Sequence, residues 1–123
     1  MKKLNGNLVR KINIAVFISG KGSNLLSIIK KSLAKESLFK VSLVLSNKKN
    51  IKGLLIAKKY NIKTLVSDFT KSNSKERKVI NILKKNQIKL VCLAGFMKIL
   101  SNNFITLFKG KIINIHPSLL PKY

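Results

Sequence analysis

The sequence predicts an α/β fold, an open and mostly parallel sheet with helices on both faces, and three observations predict it. Short apolar runs alternate along the chain with longer amphipathic segments. From residue 12 onward the alternation keeps the spacing that right-handed strand–helix–strand crossovers need. The 123 residues amount to one domain, and 46% of them are apolar, enough for a single core.

Residues 1–11 are polar and basic, with Gly6 and two Asn, and read as a flexible basic leader. Ile12 to Ile18 is a buried strand. Ser23 to Ala34 is a helix whose apolar face carries Leu25, Leu26, Ile28, Ile29 and Leu33. Phe39 to Leu45 is the next strand, and Lys52 to Tyr60 a helix with Leu54, Ala57 and Tyr60 at helical spacing. A short strand at Ile62 to Val66 precedes a helix capped by Asn73 or Ser74, with Glu76 in its first turn and Val79, Ile80 and Leu83 facing inward. Leu90 to Ala94 is a fourth strand. Ser101 caps a helix that runs to Phe108 and is closed by Gly110, and Lys111 to Ile115 is the fifth strand. The eight aromatic residues fall where strands and helix faces need bulk, so they read as core and not as a base-stacking platform.

Charge is the most unusual feature of the composition. Against 3 acidic residues stand 24 Lys and 2 Arg, a net of +23. The lysines recur in every segment without a dominant block, and specific base and phosphate recognition favours the fork of Arg, so the expectation is a solvated basic surface and no specific nucleic acid partner. Such a field still attracts small anionic ligands and, at low salt, polyanions. The single cysteine, Cys92, sits in the apolar run Leu90 to Ala94 and reads as a buried thiol, as expected of a cytoplasmic protein. The apolar run after the basic start is short, is interrupted by Asn13 and has no cleavage pattern, so it is not a signal peptide, and no stretch approaches a membrane span.

In a sheet of this kind ligands bind beyond the carboxyl ends of the strands. Beyond the first strand lies Gly20-Lys21-Gly22-Ser23-Asn24, between strand and helix, where glycines allow a tight turn that aims backbone N–H groups at an anion. The competing reading is a plain turn with Ser23 as N-cap. A Walker loop would need a Gly-Lys-Ser/Thr run after a longer gap, and a dinucleotide site would need an acid where Asn47 and Lys48 stand. Beyond the fifth strand, Asn114 and His116 are two residues apart, so on an extended segment their side chains share a face and can converge on one oxygen at an attacked carbonyl. The competing reading of the chain's one His is a hydrogen-bonded structural residue. With one His, one Cys and three acids, no metal centre is expected.

Three motifs carry a resemblance: Ile18-Ser19-Gly20-Lys21-Gly22-Ser23-Asn24-Leu25, Leu93-Ala94-Gly95-Phe96-Met97-Lys98-Ile99-Leu100, and Asn114-Ile115-His116-Pro117-Ser118-Leu119-Leu120-Pro121. In order and spacing, over about residues 12–123, they resemble the phosphoribosylglycinamide formyltransferase family of purine biosynthesis. The third motif is shared more loosely with methionyl-tRNA formyltransferase and formyltetrahydrofolate deformylase.

The resemblance implies a Rossmann-like formyltransferase domain, of which residues 12–123 are the N-terminal portion. It implies transfer of a formyl group from 10-formyltetrahydrofolate to the amine of glycinamide ribonucleotide by direct attack, without a metal. Gly22, Ser23 and Asn24 match the phosphate-binding positions. Met97, Lys98, Ile99 and Leu100 match the folate-pocket stretch, with Lys98 where the family commonly has Arg, and Asn114 and His116 match the catalytic pair. The family's catalytic Asp would fall after Tyr123, so the chain reads as C-terminally truncated, weakly active or inactive alone, with a complementing C-terminal segment or a second copy as partner. The alternatives are a non-catalytic phosphate- or RNA-binding fragment, or one of the two related folate enzymes.

Overall fold

The computed structural model describes residues 2–4 and 7–115. Two short strands, β1 (Lys2–Leu4) and β2 (Asn7–Val9), pair antiparallel, so the segment expected to be an irregular leader carries a ribbon of its own, outside the main sheet. The main elements follow as β3 (Ile12–Ile18), α1 (Ser23–Ser32), β4 (Phe39–Ser46), α2 (Lys52–Lys59), β5 (Lys63–Val66), a 3₁₀ turn (Phe69–Lys71), α3 (Asn73–Lys85), β6 (Ile88–Leu93), α4 (Asn102–Leu107) and β7 (Lys111–Asn114). The five strands β3 to β7 form one sheet in the order β5-β4-β3-β6-β7, with every neighbouring pair parallel. This is the open parallel sheet expected.

Helices cover both faces because the central strands are apolar on both. Ile14, Val16 and Ile18 pack with Leu25, Ile28 and Ile29 of α1 and Leu54 and Ala57 of α2. On the opposite face Ala15 and Phe17 meet Phe69, Val79, Ile80 and Leu83, and Phe104 of α4. Phe17, Phe69, Phe96 and Phe104 form a ring cluster with centroids 5.0–6.3 Å apart, so these four aromatics are core.

Asn13, the polar break in the first strand, borders a register shift against β6, between Asn13 and Ile14, and a second shift, against β4, follows between Ile14 and Ala15. Its side chain accepts from the Ser42 hydroxyl at 2.9 Å and donates to the Asn86 carbonyl at 3.3 Å. The shift in β4 sends Val41 to one face and Leu43 to the other, where unbroken alternation would have kept them together.

Two local expectations are corrected. Leu33 is 64% exposed: α1 ends at Ser32 and Leu33 is its C-cap, so the inward stripe closes with Ser32 instead. The cap of α3 is Ser72, whose hydroxyl accepts from the Lys75 N–H, and not Asn73 or Ser74, which are already helical. Glu76 is buried and accepts from the Ser101 hydroxyl at 2.6 Å and the Asn103 amide at 3.4 Å, joining α3 to the start of α4, while Ser101 caps α4 as expected. No helix among the described residues is long and apolar enough to cross a membrane.

Cys92 is buried beside Val16 and Ile14 on the α1–α2 face, and desolvation pushes its thiol up to about 11. A folded-state value raised above the ordinary 9.0 means the native state holds the proton after the unfolded chain has lost it, so this contribution declines as pH rises from about 9 to about 11. Alkylation of native protein by iodoacetamide at pH 8 should therefore be about a hundredfold slower than that of the unfolded chain. Equal rates would show that the thiol is not shielded.

Candidate functional site

The strands deliver their C-terminal ends to one edge. Ile18 of β3 stands level with Ser46 of β4, Phe17 with Leu93 of β6, and Leu93 with Asn114 of β7. Two ladder-like bonds extend this beyond the strands: Ala94 N–H to the Phe17 carbonyl at 2.9 Å and Ile115 N–H to the Leu93 carbonyl at 2.8 Å. The glycine turn, the segment after β6 and Asn114 therefore open on the same rim. Only β6 separates β3 from β7, so Phe17 and Asn114, level with each other, are about 10 Å apart across the sheet, two strand spacings, and the turn begins three residues beyond Phe17.

Gly22 is the N-cap of α1, in the left-handed region at φ +82°, and no side chain caps the helix. Ser23 is the first helical residue, so the reading of Ser23 as N-cap does not describe this turn. The first helical bond runs from Leu26 N–H to the Gly22 carbonyl at 2.9 Å. The N–H groups of Ser23, Asn24 and Leu25 precede that ladder and point out of the helix start, where an anion can accept from them. Ser23 is exposed, Gly22 and Asn24 are half-buried, and Leu25 is fully buried and anchors the turn.

The turn is held by a contact that the sequence does not announce. Gly53, in the first turn of α2, donates its N–H to the Gly20 carbonyl at 3.2 Å. A Cβ on Gly22 would lie 2.7 Å from the Gly53 Cα, and a Cβ on Gly53 would overlap the Ile18 Cδ1 and lie 3.0 Å from the Gly20 oxygen. Backbone thus packs on backbone. A glycine inside a helix, costly in isolation, is the signal that could have exposed this.

After β6, Phe96 joins the aromatic cluster and Leu100 packs toward the same core, so the residues between them are held out from the body. Met97 is 76% and Ile99 90% exposed, while Lys98 is half-buried. Of the four residues that the sequence matched to a folate pocket, Met97 and Ile99 are exposed, Lys98 is half-buried and Leu100 packs on the core. Asp68, not anticipated as part of the site, lies near Lys98. Partial desolvation pushes its carboxyl up, but the Lys71 ammonium at 3.2 Å, the charge of Lys98 and the Thr70 hydroxyl together hold it below its ordinary 3.8. Asn114 is exposed at the end of β7, and His116 lies outside the described residues. Among the described residues no three His, Cys, Asp or Glu side chains group as metal ligands. A groove of about 580 Å³ along α1, between Lys30 and Phe39, includes none of these residues.

The formyl transferase family pattern matches residues 12–123. The chain belongs to the formyl transferase family. It is 42% identical over 113 residues to the phosphoribosylglycinamide formyltransferase of Haemophilus influenzae, an alignment covering 89% of this chain and 53% of that protein. It is 41% identical over 116 residues to the trifunctional purine biosynthetic protein adenosine-3 of Gallus gallus, covering 92% of this chain and 12% of that one. Among solved structures, the phosphoribosylglycinamide formyltransferase of Brucella melitensis superposes with a TM-score of 0.80 at 33% identity, over 93% of this chain and 61% of that chain. The enzyme from Anaplasma phagocytophilum gives 0.78 at 42% identity, over 93% and 54%. The chain thus spans about half the length of the single-function relatives. The chain shares the parallel-sheet fold of these relatives.

Two outcomes are expected from this geometry. Gly53→Ala, which in an open helix would stabilise by about 1 kcal/mol, should destabilise here by about 1–3 kcal/mol, read as a lower urea midpoint. Asp68, with its folded value depressed, contributes stability above the ordinary carboxylate range that is lost as pH falls through the folded value. The stability difference between wild type and Asp68→Asn should therefore shrink on acidification, and a difference unchanged between pH 6 and pH 2 would contradict it.

Proposed function

We propose that this chain carries the N-terminal part of a phosphoribosylglycinamide formyltransferase, transferring a formyl group from 10-formyltetrahydrofolate to the amine of glycinamide ribonucleotide. The observation that carries the reading is the common rim: an uncapped helix start at Gly22, the exposed apolar side chains of Met97 and Ile99 after β6, and Asn114 at the end of β7, in a chain about 40% identical to enzymes of that name. A positive field and free helix N–H groups suit a phosphate on one side. Met97 and Ile99 with Lys98 between them offer apolar surface beside a cation, which suits a flat ring bearing an anionic tail.

When bound, 10-formyltetrahydrofolate supplies the electrophilic formyl carbon. Ser23 and Asn24, with Gly22, hold the substrate phosphate and so set how far its amine reaches. The Asn114 amide donates to the formyl oxygen as negative charge grows there on attack by the amine nitrogen. His116 stabilises the same oxygen and takes part in moving the proton that the attacking nitrogen loses to the departing folate nitrogen. The buried, reduced Cys92 agrees with a cytoplasmic site of action.

Residues 1–123 alone should show little transfer, and addition of the C-terminal segment that the relatives possess should raise it. In that complemented protein Asn114→Ala and His116→Ala should each lower kcat by about 10²–10³-fold, measured by release of tetrahydrofolate. No transfer by the complemented protein, or wild-type kcat in both variants, would refute the assignment, whereas full turnover by the 123-residue chain would refute only its need for a further segment. Phosphate-ligand affinity lost in Asn24→Ala at constant salt supports the seat, whereas affinity that only tracks salt supports surface capture of polyanions. Transfer to initiator transfer RNA, or formyl release to water, would place the chain with the related enzymes.

A further inference from the structure

The loops after β3, β4 and β6 meet at one side chain. Ser19 comes directly after β3 and is buried, at 5% exposure. Its hydroxyl donates to the Asn47 side-chain oxygen at 2.5 Å and accepts from the Met97 N–H at 2.8 Å. These partners lie 28 and 78 residues away in the chain, one after β4 and one after β6. Of the small side chains, a hydroxyl alone donates and accepts at once from one atom. Met97 is bound through its backbone, so the tie sets where the outward segment begins while leaving its side chain to the rim.

We propose that Ser19 is a positioning residue: its hydroxyl fixes the Met97–Leu100 segment at a set place relative to the glycine turn, so that the two ligands meet with their reacting atoms in register. The role rests on the folate assignment of Met97–Leu100 given above. Phe96 and Leu100 anchor the segment to the core at its two ends, but both anchors are apolar contacts that tolerate sliding. The Ser19 bond is the directional constraint, and small errors in placement are costly to a bimolecular transfer. Ser19 also sits one residue before Gly20, whose carbonyl holds Gly53, so the same short stretch braces both the phosphate turn and the folate segment.

The test is amide hydrogen exchange together with ligand affinity in wild type, Ser19→Ala and Ser19→Thr. Loss of the hydroxyl should speed exchange at the Met97 amide about tenfold or more, with Val16 in the sheet centre still protected. Affinity for folic acid should fall about fivefold or more, while affinity for inorganic phosphate at the turn stays unchanged. Thr, which keeps the hydroxyl, should restore both. If Ser19→Ala leaves Val16 unprotected, the chain has lost its fold, and Ser19→Cys, with its weaker donor and acceptor, is read in its place. Unchanged exchange at Met97 overturns the tie. Faster exchange with unaltered folic acid affinity overturns the positioning role. A wild-type chain that binds no folic acid overturns the folate assignment and the positioning role with it, while the exchange data still decide whether the tie exists.

Discussion

The structure depends on a strand that has no exposed side. Ile14 to Ile18 of β3 are all buried, with helices against both faces and parallel partners on both edges. No polar side chain can be accommodated along that stretch, so the chain's first chemically useful residue is the one that emerges, Ser19, and the glycine turn comes immediately after it. Parallel pairing then brings the ends of β4, β6 and β7 to the same height. Loops far apart in sequence become neighbours because the core permits only one direction for the strands. Nothing about the loops themselves brings them together.

Polar groups near the core are spent on register and junctions. Asn13 stands at the point where β3 leaves register with β6, one residue before it leaves register with β4, and its amide satisfies groups from β4 and from the turn before β6. Buried polar groups carry a penalty unless they are paired, so such a residue specifies one alignment among several that the apolar pattern would accept. Glu76 does the same at the α3–α4 junction, where two side chains near the start of α4 satisfy its carboxylate. With Asp68 drawn to Lys71 and Lys98, two of the three acids of the chain are committed to local structure. The uncapped start of α1 has no acidic residue in its first turn to compete with an incoming anion.

The basic surface is compatible with either a small phosphorylated substrate or loose polyanion capture, and charge alone does not choose between them. Geometry does more. A helix start with no side-chain cap at Gly22, packed backbone to backbone against Gly53, is a local feature that a diffuse field neither requires nor creates. The exposed Met97 and Ile99 likewise have no role in attracting RNA. Their exposure is the result of Phe96 and Leu100 being drawn into the core on either side.

Legible from the sequence alone were the elements whose signal is local. Strand and helix positions fell within a residue or two, because burial on both faces leaves continuous apolar runs and burial on one face leaves a period of three to four. The glycine turn and its place at the sheet edge were also legible, since a strand followed by glycines and a helix has few other conformations. Helix α1 stopped at Ser32, two residues before the expected Ala34, and the α3 cap shifted to Ser72, because helix ends depend on backbone angles that several neighbouring residues could equally adopt. Only the tertiary structure decided the contacts across long separations: Gly53 against Gly22, and Ser19 with Asn47 and Met97. No periodicity marks such residues, because each owes its role to a partner that the sheet brings close only after the strands have paired.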